Sequence, residues 1–432
     1  MKHLFSKFTY FIFVLTLFTG CSDDDDNPGG DPALTFKEME SDWVRLSLMY
    51  DGNIDVMQAD SGEIMHKVSG QVIEGARYYT SNTGRYLTVI DRNGGIVKFF
   101  DSGIVNHTDH GHEYTAKWVD MELNSILPTH YASSGGHIVI FNDGDGSISY
   151  INEAQLEIPS YQPEIFTFAN TVAHHGAGFR LRNGLFATTF KNNTEPGGIP
   201  QMVKFVEANG NLIDDNKGIE VEGIHGDAVN GQYGVFGSTN GVILVDDQQN
   251  IDLIENIGDL NSESGNWLGT LKGHDNAQLF FARSRNVGVF MVDPVNKTLT
   301  NIYNGGNVSG DMFSFDGAYY LLHTADNTIS VFDSSTGSKI TSRVVEMANI
   351  PQLNSKELDS EISILRKMEE PSPVLVCSDK FLYVLAPNRI QIKVLEIKSL
   401  EHVHTIELFS PINSLMKNGF SIEGDQNPDY EH

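Results

Sequence analysis

Residues 137–158, HIVIFNDGDGSISYINEAQLEI, read as two short strands joined by a tight turn. His137-Ile-Val-Ile-Phe is rich in β-branched and aromatic residues, Asn142-Asp-Gly-Asp-Gly supplies turn chemistry, and Ser147-Ile-Ser-Tyr-Ile alternates small polar with apolar side chains. The second half of this unit, a Gly or Asn turn followed by a strand, an acidic turn and another strand, recurs along the chain. It stands at 51–68 (DGNIDVMQADSGEIMHKV), 94–105 (GGIVKFFDSGIV), 144–158 and, more loosely, 197–213 (GGIPQMVKFVEANGNLI). It returns at 240–254 (NGVILVDDQQNIDLI), 287–303 (VGVFMVDPVNKTLTNIY), 327–342 (NTISVFDSSTGSKITS) and 388–408 (NRIQIKVLEIKSLEHVHTIEL). That makes eight copies spaced roughly 40 to 60 residues apart. Another strand pair precedes most of them, as in 233–239 (YGVFGST) and 319–324 (YYLLHT).

Four short antiparallel strands per repeat of this length describe a propeller blade. One blade cannot bury its own faces, so the ring must close. The first unit opens at Trp43-VRLSLMY with no innermost strand before it, and Pro411-INSLMKNGFSIEG follows the last outer strand as a spare segment. The expected fold is therefore all-β, a single β-propeller of eight blades (seven is the alternative), with its ring closed by the C-terminal segment. Two stacked sandwiches would not impose this period. Residues 351–371 carry helical spacing at Leu358, Ile362 and Leu365 and predict an insertion between blades.

The N-terminus reads differently. Lys2 and Lys7 precede twelve apolar-rich residues, 8–19, too short a stretch to span a bilayer but of the length of a signal h-region. Phe18-Thr-Gly-Cys21 resembles the lipobox of bacterial lipoproteins, with Phe18 where that pattern prefers Leu. Cleavage before Cys21 would leave it as the lipidated first residue. Asp23 to Asp26 and the Pro/Gly stretch behind them predict an acidic disordered tether and resemble the surface-export signal of Bacteroidetes lipoproteins. The domain plan is then signal peptide 1–21, tether 22–35 and propeller 36–432. An outer-membrane lipoprotein is expected, on the cell surface or the periplasmic face, with the membrane reached through its anchor alone.

A formal charge of −28 argues against nucleic-acid binding and favours attraction of cations. Cys377 is the one cysteine left beyond the anchor, so no disulfide can form within the mature chain; its setting, Val374-Leu-Val-Cys, reads as core.

The fifteen histidines are placed unevenly. Asn106-HTDHGHE-113 packs His107, His110 and His112 with Asp109 and Glu113 into a loop after the second blade's outer strand, a donor set suited to zinc. His130, His175, His225 and His274 are spaced by 45, 50 and 49 residues, and each precedes the strand pair of its own blade. Residues so placed aim at the central channel. His174 and His175 are adjacent, so only one is expected to face the axis, and His175 is preferred. His66, His402 and His404 read as solvent-facing, and His137 and His323 as strand residues.

The same stretches resemble the AztD-type zinc metallochaperones, periplasmic β-propellers that serve zinc importers. The matching segments are His107-TDHGH, Pro128-THYASSGGHIVIFNDGDGSI, Ala173-HHGAGF, Ile224-HGDAVNGQYGVFGSTNGVILVDD and, more weakly, Leu322-HTADNTISVFDSSTG, spanning most of residues 90–340. The family pattern has cysteines near the positions of Val221 and Ser238, where this chain has none, so that bridge is absent. The resemblance implies a zinc carrier with a tight site and a loop site. It implies His130, His175 and His225 as tight-site ligands, with a fourth from the 107–112 loop, and Asp109 and Asp227 as carboxylate ligands or as partners that fix imidazole tautomers. The implied partners are the zinc ion and an importer component or solute-binding protein, the carrier itself being a monomer. Two other classes stay open. Three histidines with a free fourth position would also suit a zinc-dependent hydrolase with Glu113 or Asp227 as base, although no nucleophile elbow or zincin motif is present. A surface interaction scaffold would leave the histidines incidental.

Overall fold

A computed structural model describes residues 35–70, 73, 75–107, 110–191, 197–213, 218–349 and 371–422. The repeats fold as eight antiparallel sheets, four-stranded except for the fourth, which has three strands among the described residues. These are the blades of an eight-bladed propeller, so the seven-bladed alternative falls. The described helix is limited to Phe36–Met39 and a single turn at Glu153–Gln155. Among the described residues no helix is long and apolar enough to cross a membrane. The signal peptide, nearly all of the tether and nearly all of the expected 351–371 insertion lie outside the described residues.

The C-terminal segment closes the ring. Ser414–Gly419 forms the innermost strand of blade 1 and pairs antiparallel with Val44–Met49 of the strand Val44–Tyr50, while Asn53–Gln58 and Ile64–Ser69 complete the blade. Ser47 Oγ donates to Asn418 Oδ1 at 2.7 Å across this seam. The innermost strands of blades 2 to 8 are Arg77–Thr80, Pro128–Ser134, Gly178–Arg180, Ile224–Val229, Leu268–Lys272, Val308–Phe313 and Val374–Cys377. They run the same way along the channel, so its two mouths differ. We call the mouth where they begin upper and the mouth where they end lower.

Apolar residues of each blade pack against the next, and these contacts form the core. Val235, Val242 and Leu244 of blade 5 meet Phe280, Ala282 and Phe290 of blade 6. Aromatic rings repeat the arrangement: Tyr79 stacks on Tyr131, Phe179 on Phe236 and Phe281 on Tyr320, with centroids 4.6, 4.8 and 4.0 Å apart. Such pairs contribute about 0.5–1.5 kcal/mol each beyond area burial. Cys377 is buried, as its apolar setting predicts, and touches Met312.

Bulges interrupt the pairing near the upper ends of four inner strands, at Pro128/His130, Ile224/Asp227, Leu268/Thr270 and Val308/Gly310. A bulge re-aims the side chains around it, and two of these fall at histidines.

Deleting residues 411–432 removes the closing strand and leaves the ladder of Val44–Met49 unpaired. Near-UV circular dichroism on heating should then show no cooperative transition. A truncated chain that melts like the full one contradicts ring closure by this segment.

Candidate metal centre

His130 is in the inner strand of blade 3, His225 in that of blade 5, and His175 lies three residues before that of blade 4. All three therefore sit at the upper mouth. Their Nε2 atoms converge: His130 to His175 is 3.3 Å and His175 to His225 is 3.2 Å. Four donors around zinc at 2.0–2.1 Å define tetrahedron edges of about 3.3–3.4 Å, so the spacing already fits that ion.

The other nitrogen of His175 and of His225 explains why their Nε2 lone pairs point inward. His175 Nδ1 lies 2.7 Å from Asp143 Oδ2 and His225 Nδ1 lies 2.7 Å from the carbonyl oxygen of Gly269. His130 Nδ1 faces Asp227 Oδ1 at 3.8 Å. An acceptor beside Nδ1 places the proton there and leaves Nε2 as a ligand lone pair. Burial, together with neighbouring His175 and His225, drives the His130 pKa down to about 3, which keeps its ring neutral. Asp143 is itself anchored. Arg92 donates to its Oδ2 at 2.9 Å and to Thr129 Oγ1, next to His130, at 2.9 Å. Burial works to raise the Asp143 pKa, but the hydrogen bonds from His175 and Arg92 outweigh it and hold the carboxylate below its ordinary value. The Asp227 side chain is largely withdrawn from solvent, and burial pushes its pKa up to about 8. Its Oδ2 has no hydrogen-bond partner among the described residues.

Local sequence sets these positions. Gly226 adopts φ +77°, and a side chain there would meet the Gly269 carbonyl oxygen at 2.6 Å. Glycine thus permits the bulge that sends the His225 ring toward Gly269. His174 points the other way: it is buried, with Nδ1 2.7 Å from the Val172 carbonyl oxygen and Nε2 3.3 Å from Thr189 Oγ1. The preference for His175 holds.

Two expectations are corrected. His274 follows the inner strand of blade 6 instead of opening it. It lies at the lower mouth, its Nε2 2.9 Å from the Phe315 carbonyl oxygen, and burial lowers its pKa. The residue of blade 6 that stands beside the triad is Gly269. The 107–112 loop also cannot supply the triad's fourth ligand. It follows the third strand of blade 2, Ile96–Asp101, which runs parallel to the inner strand and so ends at the lower side.

The loop has its own cluster. Ile104–Asn106 pairs with Gly111–Glu113 as a hairpin, and His107, His110 and His112 bring ring nitrogens within 4.8 Å of one another. His110 Nε2 and His112 Nε2 are 3.2 Å apart. Glu113 secures the hairpin to blade 1 through Arg45 at 2.9 Å and His66 at 3.3 Å, so His66 is half-buried and engaged. Gly111 lies flat on Trp43, where a Cβ would be 2.5 Å from the indole. Asp109 lies outside the described residues. Sequence reasoning missed Asp143 and the Gly269 carbonyl. Asp143 was legible: it directly follows the second strand of blade 3, His137–Asn142, which returns to the upper mouth.

No family model matches the chain. Among solved structures, the fold is similar to apo AztD from Citrobacter koseri, with a TM-score of 0.72 at 18% identity, covering 88% of this chain and 99% of that one. A second crystal structure of Citrobacter koseri AztD gives 0.72 at 19%, covering 88% and 98%. The dihydro-heme d1 dehydrogenase NirN in complex with DHE is more distant, at 0.54 and 13%, covering 89% and 77%. The resemblance read from sequence is thus matched by the eight-bladed fold.

Replacing Asp143 with Ala should weaken zinc binding at the triad about 10–100-fold, as loss of such an outer partner does in other metal sites. Competition titration with a chromogenic chelator measures it; unchanged affinity would mean that Asp143 does not orient His175.

Proposed function

We propose that the chain is a zinc-binding lipoprotein acting in zinc acquisition, with a tight site at His130, His175 and His225 and a second, more exposed site at His107, His110 and His112. The observation that carries this is the convergence of the three Nε2 atoms, with Nδ1 of His175 held by Asp143 and Nδ1 of His225 by the Gly269 carbonyl. The likeness to the zinc metallochaperones supports zinc over other borderline metals.

The two sites differ in physical character. The mouth triad is half-buried and its rings are tied, which favours high affinity and slow release. In the loop triad, His107 and His110 are exposed, which favours fast exchange. The sites sit on opposite sides of the ring, so each would load independently. The fourth position at the triad belongs to water or to a donor from a receiving protein, which is how a carrier passes its ion on. A zinc importer component or solute-binding protein is the partner in this reading. Anchored through Cys21 to the outer membrane, the propeller would capture zinc there on an acidic tether.

Glu113 is engaged with Arg45 and His66 on the side away from the triad, which removes one of the two candidates for a hydrolase's general base and leaves Asp227.

Tag-free protein loaded with zinc should bind two ions. Replacing His175 with Ala should abolish the tight one and spare the weaker; replacing His112 with Ala should do the reverse. Isothermal titration reads both. If either variant removes both sites, or if no metal binds the wild type, the two-site reading is wrong. Zinc-dependent ester or lactone hydrolysis would favour the enzyme instead.

A further inference from the structure

The lower half of the channel holds a cavity of about 460 Å³, bounded by the later residues of most inner strands. Its volume falls within the range of small-molecule sites. Asp275 reaches across the lower mouth from blade 6, accepting from Asn82 Nδ2 at 2.7 Å, Ser134 Oγ at 2.6 Å and the Gly135 amide at 2.7 Å. Tyr79, Phe313 and Phe315 contribute aromatic wall. None of the zinc-site histidines lines it.

Lys417, on the closing strand of blade 1, lines this cavity and is buried. Its Nζ donates to the Gly419 carbonyl oxygen at 2.7 Å and lies against the Phe315 ring. Among the described residues no carboxylate forms an ion pair with it. The Phe315 ring face and the Gly419 carbonyl oxygen favour the charged form, but removal from water outweighs them and favours the neutral amine, and a neutral amine beside a cavity is a nucleophile.

We propose that Lys417 captures a small aldehyde or ketone in this cavity as an imine, with the apolar body of the ligand against the aromatic wall. The amine lone pair forms the N–C bond, the two amine hydrogens pass to the carbonyl oxygen, the C–O bond breaks and water leaves. No electrons are transferred, and water reverses the step. Burial pushes the Lys417 pKa down to about 7, against the opposing pull of Asp379, Glu40, Cys377 and Asp316. Near pH 7 a large share of this amine is neutral, whereas roughly one exposed lysine in a few thousand is. The proposal does not depend on zinc binding.

The test uses the mature protein with benzaldehyde and sodium cyanoborohydride at pH 7. The reductant fixes any imine as a benzylamine, and peptide mass spectrometry reads each lysine. At limiting aldehyde, Lys417 should be labelled at least tenfold above exposed Lys67 and Lys339, and K417M should lose only that adduct. The wild-type distribution decides the matter even if K417M fails to fold. Labelling after denaturation verifies that the Lys417 peptide is detected. Adducts confined to exposed lysines, or Lys417 labelled no more than they are, overturn the proposal.

Discussion

Lone pairs that face one another at hydrogen-bond distance repel unless a cation or a proton lies between them. At the upper mouth of the channel, His130, His175 and His225 hold that arrangement because Nδ1 of His175 and of His225 is bound to an acceptor and Nδ1 of His130 faces the Asp227 carboxyl. These groups come from the scaffold: a carboxylate just after a second strand, a backbone carbonyl at a bulge of the next blade and, facing His130, a carboxyl two residues beyond His225. The ring of blades is what brings these elements, distant in sequence, to one place. Closure by Ser414–Gly419 is therefore a condition for the site as well as for stability.

The fold was legible because a propeller repeats its physics. Each blade needs the same turns and the same alternating strands, so eight copies gave eight blades, and a first unit without an inner strand pointed to the C-terminus. The triad was legible for the same reason, since residues that open inner strands share one mouth. What periodicity alone could not give was side. His274 matched the spacing of the others, yet it follows its inner strand, and a histidine after the strand lies one channel length from a histidine before it. The 107–112 loop failed as a fourth ligand for a related reason, because a third strand ends where an inner strand ends. Counting strands from the channel outward recovers both corrections, and it also finds Asp143. The Gly269 carbonyl was not legible, since a backbone oxygen leaves no mark in residue identity.

The channel is divided in its chemistry. Its upper mouth gathers imidazole and carboxylate, donors for a borderline cation. Its lower half is walled by aromatic rings and holds the buried amine of Lys417. Asp227 lies between them, bordering the cavity on one side and facing His130 on the other. Outside the ring, the exposed histidine hairpin rests on Trp43 and Arg45 of the first blade. A strongly acidic body raises the local concentration of cations around all of these surfaces.

The most direct measurement is anomalous diffraction at the zinc edge from a crystal of zinc-loaded protein. The expected result is a peak about 2.0–2.1 Å from Nε2 of His130, His175 and His225, with Asp143 still on Nδ1 of His175. A second, weaker peak is expected at the 107–112 hairpin. Zinc bound only at the hairpin, or at the mouth through nitrogens other than these, would contradict the account.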